Sequence, residues 1–151
     1  MTELSRTGRT RSGDPQNLPR PTGEPEIVTV ETAWGKVQPM QPVPGIRTVG
    51  ELEVAALVRD GAQLVDTRVP GSRGGVTLPA ALNIPHDQVL ARKDELDTER
   101  VHILFCNGPQ CPQTPDALRT LSEDGYPPDR LAYYRGGMHD WITLAMPTQS
   151  I

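Results

Sequence analysis

The residues of this chain best suited to covalent chemistry are its two cysteines, and both stand in one stretch, "ILFCNGPQCPQTP", as Cys106 and Cys111. That stretch runs from an apolar segment through an uncharged turn into residues that suit a helix start. A thiolate is a good nucleophile, and it is favoured where backbone amides and the positive end of a helix face the sulfur. A turn containing Gly108, Pro109 and Pro112 can point its amides inward as an anion cradle. The backbone from Asn107 to Gln113 would then stabilise a charged sulfur on Cys106, with Asn107, Gly108, Gln110, Cys111, Gln113 and Thr114 lining the site. The plain alternative is a buried structural thiol. Cys111 has two readings: a second thiol that bridges to Cys106 and so protects or resolves it, or a small apolar filler of the turn.

Other chemistries find less support. Phosphoryl transfer by a cysteine needs an arginine closing a Cys-x5-Arg loop, so that a guanidinium can hold the phosphoryl oxygens bidentately, and position 112 is proline. His86, His102 and His139 share neither ligand spacing nor a face, so neither a metal site nor any other cofactor is expected. A formal charge of -4 leaves no basic footprint for nucleic acid or an anionic membrane. The N-terminal "MTELSRTGRTRSGDPQ" has no apolar core for a signal peptide, and no apolar run is long enough to span a bilayer. Two cysteines are too few for a disulfide framework, so a reducing, cytoplasmic setting is expected.

The cysteine turn must be positioned by the elements around it. "QLVDTR" (63–68), "AALNIP" ending at Pro85, "VHILF" (101–105) and "LAYYR" (131–135) are short apolar strands, the third apolar enough to be covered on both faces. Between them lie helical patterns. Thr48 and Glu51 have capping-box spacing before Leu52, Ala55, Ala56 and Arg59, with a stop at Asp60-Gly61. A short helix is expected around Gln88 to Arg92. Thr114 suits an N-cap with Pro115 at the first helical position, followed by the stripe Ala117, Leu118 and Leu121. "GGMHDWITLA" closes the domain, with Met138, Trp141, Ile142 and Ala145 on its core face. Alternating strands and helices argue for an α/β fold with a parallel sheet covered on both faces, and in such sheets ligands sit beyond the carboxyl ends of the strands, where Cys106 falls. Asp66 and Arg68 are expected to tie their strand end to neighbouring loops rather than to pair with each other. Of the 151 residues, 1–24 read as a disordered tail, 25–45 as an extended connector holding a strand that brings Trp34 onto the domain, and 46–148 as the folded domain.

Four stretches in order then resemble the rhodanese-like domains. "LVDTR" resembles that family's Asp-x-Arg strand through Asp66 and Arg68, and "TLPAALNIP" its Ile-Pro-Gly-Ala-x-Asn-Ile-Pro turn through Leu78, Pro79, Ala81, Asn83, Ile84 and Pro85. Cys106 stands where the family carries its persulfide, and "YRGGMHDW" resembles the closing Arg-Gly-Gly-x-x-x-Trp through Arg135, Gly136, Gly137 and Trp141. The resemblance implies a three-layer α/β domain with a five-stranded, mainly parallel sheet, and a sulfurtransferase. Its partners would be a small sulfur donor such as thiosulfate and a thiol, cyanide or protein acceptor. The alternative use of the same fold is a non-catalytic binding or thiol redox-sensing module built on Cys106 and Cys111. The chain departs from the pattern in three places: Ala80 replaces the family's Gly, Thr77 its usual His, and the cysteine turn carries no charge before Asp116. Arg135 is then the nearest family candidate to hold an anionic donor.

Overall fold

The structure is a computed structural model that describes residues 18–29 and 37–151. The first seventeen residues of the expected tail, and Trp34 with its connector segment 30–36, lie outside the described residues. Five strands form the central sheet: β3 (Arg47–Thr48), β4 (Gln63–Asp66), β6 (Leu82–Asn83), β7 (His102–Phe105) and β8 (Leu131–Tyr134). Their order is β3-β8-β7-β4-β6, and every pairing is parallel. Two small antiparallel pairs flank it: β1 (Arg20–Pro21) with β2 (Val28–Thr29), and β5 (Val76–Thr77) with β9 (Gln149–Ser150).

The alternation of side chains along each strand divides the core in two. Val65, Leu104 and Tyr133 face one layer, where Ala117, Leu118 and Leu121 of helix α2 (Gln113–Glu123) pack. Leu64, Ile103, Phe105, Ala132 and Tyr134 face the other, with Val54 of helix α1 (Glu51–Arg59) and Met138 and Trp141 of helix α3 (Gly137–Thr143). Trp141 meets Tyr134 edge-on at 5.9 Å between ring centroids, and its indole N–H donates to the Pro147 carbonyl at 2.7 Å. All four residues of β7 are buried, as a central strand between two layers requires.

Several local expectations change. α1 is capped two residues later than the Thr48 spacing implies: Glu53 accepts from the Gly50 N–H at 3.1 Å, and the Thr48 hydroxyl donates instead to the Met40 carbonyl. Leu52 consequently faces water, 86% exposed, and Val54 takes the core position. The segment expected to be helical near Gln88 is two 3-10 turns, His86–Gln88 and Lys93–Glu95. Residues 18–24, read as part of a tail, instead enter the β1–β2 hairpin, and Leu18 is buried beside the Trp141 layer. One apolar anchor offsets the polar composition that pointed to disorder.

Candidate active site

Cys106 follows β7, the middle strand of the sheet, and its loop runs to Pro112 before α2 begins. Every residue from Cys106 to Cys111 is buried. The loop is held by backbone contacts from three sides. The first amides of α3 donate outward, Met138 to the Cys106 carbonyl at 3.0 Å and His139 to the Asn107 carbonyl at 2.8 Å. The Cys111 N–H closes a turn on the Gly108 carbonyl at 3.0 Å, and the Gln38 N–H donates to the Pro109 carbonyl at 2.7 Å. Gly137, at φ 58°, makes the α3 contact feasible. A Cβ there would overlap the Cys106 carbonyl oxygen and come within 2.9 Å of the Gly108 nitrogen, so the crowding expected of Gly136-Gly137 is real.

The Cys106 thiol is 2% exposed, and its Sγ–H points to the Cys111 carbonyl at 3.5 Å. Burial pushes its pKa well above the ordinary thiol range, and contact with the Cys111 side chain adds to the rise. Hydrogen bonding from the Thr114 hydroxyl and amide pulls the other way and is outweighed. In this closed conformation the sulfur is therefore a protonated thiol, contrary to the expectation that the turn alone would favour the thiolate. Thr114 is not the N-cap of α2; Pro112 holds that position. The Thr114 Oγ1 lies 2.7 Å from Thr67 Oγ1, which itself donates to the Phe105 carbonyl at 3.0 Å. A hydroxyl has one proton to give, so Thr114 serves either Thr67 or the sulfur. If Thr67 turns toward Thr114, the Phe105 carbonyl keeps the Thr67 N–H, also at 3.0 Å.

The other sequence candidates divide into loop and brace. Asn107 accepts from Arg68 Nη1 at 3.0 Å and donates to the Ser72 carbonyl at 3.0 Å. Gln113 accepts from the Val69 N–H at 3.2 Å and donates to Ser72 Oγ at 3.4 Å. Their side chains thus fasten the loop to residues 68–72. Gly108 packs against His139, where a Cβ would come within 3.0 Å of the His139 Cβ, and Gln110 and Cys111 are buried within the turn. Arg135 directs Nε and Nη2 to the Gln38 carbonyl at 3.1 and 2.8 Å, holding the segment that in turn grips Pro109.

Sequence reasoning missed the brace itself. Asp66 and Arg68 do pair: Oδ1 accepts from Nε at 2.8 Å and Oδ2 from Nη2 at 2.7 Å, with both side chains fully buried. Asp66 ends β4 and Arg68 lies two positions on, where continued extended backbone keeps the two side chains on one face; that i, i+2 spacing is the signal that could have found the pair. Arg73 Nε and Thr77 Oγ1 also reach Asp66 Oδ2, at 3.3 and 2.8 Å, and Arg68 Nη1 and Nη2 reach the Arg73 and Val76 carbonyls. Thr77 thus serves as a hydroxyl donor to the buried carboxylate. Asn83 donates to the Asp66 and Arg68 carbonyls at 2.9 and 3.0 Å, which explains its place in the matching turn. Among the described residues no cluster of three or more His, Cys, Asp or Glu is placed to hold a metal ion.

Comparison with known proteins agrees with this geometry. The rhodanese-like domain model matches residues 52–144. A transcriptional regulator of Mycobacterium tuberculosis, the HTH-type regulator Rv0324, is 32% identical over 84 residues, 56% of this chain and 36% of the regulator. The chain thus matches about a third of that relative's length. The BH2092 protein of Bacillus halodurans superposes with a TM-score of 0.60 at 20% identity, covering 69% of this chain and 77% of that one. A thiosulfate sulfurtransferase of Pseudomonas aeruginosa superposes with a TM-score of 0.57 at 22% identity, covering 70% of this chain and 20% of that one. The family match, the parallel sheet and the cysteine at the end of its middle strand agree, and this chain belongs to the rhodanese-like domain family.

Proposed function

We propose that the protein is a sulfurtransferase that carries sulfane sulfur as a persulfide on Cys106. The observation that carries the reading is the position of Cys106, at the end of the middle strand in a buried loop that runs directly into the first turn of α2. The thiolate attacks the outer sulfur of a donor such as thiosulfate. A new S–S bond forms at Cys106 while the donor's own S–S bond breaks, and sulfite leaves with the electron pair. A thiol, cyanide or protein acceptor then takes the outer sulfur and releases the Cys106 thiolate. Because the sulfur is closed over, the loop must move outward for the donor to enter, and Thr114 is poised to hold the anion once the thiol proton is lost. Asn107, Gln113 and Arg135 keep the loop in shape, and Gly108, Gln110 and Cys111 line it.

A second reading is a thiol redox-sensing or binding module. The direct contact of Cys106 with Cys111 in an uncharged loop favours it, as does similarity to part of a transcriptional regulator. The test is formation of thiocyanate from thiosulfate and cyanide by the full chain. Wild type should turn over and Cys106→Ser should not, while both keep the same circular dichroism. Wild type that forms neither thiocyanate nor sulfite from thiosulfate, but closes a reversible Cys106–Cys111 disulfide when treated with an oxidant, would support the sensor instead.

A further inference from the structure

We infer that Cys111 is the internal acceptor that discharges the Cys106 persulfide, so that the protein releases sulfide and needs a dithiol reductant to complete its cycle. This rests on the carrier role of Cys106 proposed above. Three features of the loop point to it. The Cys106 Sγ–H already reaches the Cys111 carbonyl at 3.5 Å, and the Cys111 side chain perturbs the Cys106 thiol, so little rearrangement brings sulfur to sulfur. Both residues are almost wholly buried, Cys106 at 2% and Cys111 at 1% exposure, so an acceptor from solvent must open the loop whereas Cys111 is already inside it. No charged side chain lies between Cys106 and Asp116, so nothing in the turn anchors a charged acceptor against this neighbour. A thiol held in place has an effective concentration far above that of any dissolved thiol.

The step balances without an added oxidant. Cys111 attacks the inner sulfur of the persulfide, the Cys106 Sγ; the bond from Sγ to the outer sulfur breaks as the Cys106–Cys111 bond forms. The outer sulfur leaves with that electron pair and takes up the Cys111 proton, departing as hydrosulfide. The sulfane sulfur is reduced and the two thiols are oxidised to the disulfide. A dithiol reductant of the thioredoxin class then reopens the bridge and becomes a disulfide itself. The turn favours closure of the small ring, since the Cys111 N–H already bonds the Gly108 carbonyl across it at 3.0 Å.

The experiment treats the reduced full chain with inorganic thiosulfate, with no added thiol or cyanide, and follows sulfite, sulfide and the mass of the protein. Wild type should release sulfite, then about one sulfide per chain, and end two hydrogen atoms lighter with Cys106 and Cys111 in one disulfide-linked peptide. Cys111→Ser and Cys111→Ala should instead gain one sulfur atom, release no sulfide, and hold the persulfide at least about tenfold longer. Wild type that holds its added sulfur as long as both variants, without sulfide, overturns the role of Cys111 and leaves Cys106 a lone carrier. Neither sulfite nor added sulfur in any of the proteins overturns the carrier role and this inference with it. Sulfide release from both Cys111 variants at the wild-type rate overturns the internal step alone.

Discussion

The carboxyl ends of β4 and β7 are neighbours, with Asp66 paired to Phe105 across the sheet, yet they carry opposite kinds of polar structure. At the end of β4 the chain buries the opposite charges of Asp66 and Arg68 and satisfies them, with the half-buried Arg73, Thr77 and Asn107 completing one network. Beyond β7 it carries no charge through Pro112, and the loop is held by backbone groups donated from α3 and Gln38 and by the neutral side chain of Asn107. The charged end acts as a wall, because a buried ion pair with all its hydrogen bonds made is rigid and costly to break. The neutral end keeps a thiol protonated at rest and leaves a loop free of salt bridges. Stiffness and reactivity are thereby assigned to adjacent strands.

Breaking the wall should have the largest effect. Asp66→Ala leaves the Arg68 guanidinium buried without its carboxylate, and the expected loss is about 3–5 kcal/mol in denaturant unfolding. A loss below about 1 kcal/mol would mean that water or the nearby carbonyls replace Asp66. Gly137→Ala strikes the loop from the other side. Its Cβ would meet the Cys106 carbonyl, so either the left-handed backbone of residue 137 or the loop must shift. The expected stability loss is about 1–3 kcal/mol, with sulfur transfer falling more than stability does. Transfer unaffected by this change would show that the loop's backbone geometry does not matter.

A pH series sharpens the comparison. The folded Cys106 thiol has its pKa raised by burial, so the unfolded chain releases this proton first as pH rises. Below the ordinary thiol range the group contributes its full share of stability, and that share is lost as pH climbs from there toward the folded value. The loss is at most about 1.4 kcal/mol per pH unit for one proton. Cys106→Ser should lack this alkaline decline. A smaller effect is expected of Ala80→Gly: Ala80 sits at φ 58°, where a side chain costs about 1–2 kcal/mol, against about 0.4–1 kcal/mol of added unfolded-chain entropy for glycine. The net gain should be about 0.5 kcal/mol, seen as a raised melting temperature; a loss would mean that the surrounding contacts already relieve the strain.

Much of the fold was legible because its signals are local. The apolar run of β7, the Ala117, Leu118 and Leu121 stripe and the position of Cys106 follow from short-range pattern alone. The errors arose where a distant partner decides the outcome. Thr114 looks like an N-cap, but a hydroxyl 47 residues away claims its side chain. Arg135 reads equally as an anion holder or a loop brace, and the Gln38 carbonyl that it grips is 97 residues away in sequence. Leu18 looks like part of a tail until the Trp141 layer gives it somewhere to bury. Nor could pattern reveal that the cysteine loop is closed, since its shape depends on bonds to its carbonyls from α3 and from Gln38.

The central claim is that Cys106 carries sulfane sulfur, and its most direct test is a single-turnover reaction of the full chain with thiosulfate, read as the burst of sulfite. The burst appears whichever thiol later discharges the persulfide, so it isolates the first step. Wild type should release about one sulfite per chain and Cys106→Ser none, with both proteins folded alike. A burst of equal size from Cys106→Ser, or no burst from wild type, would contradict the account.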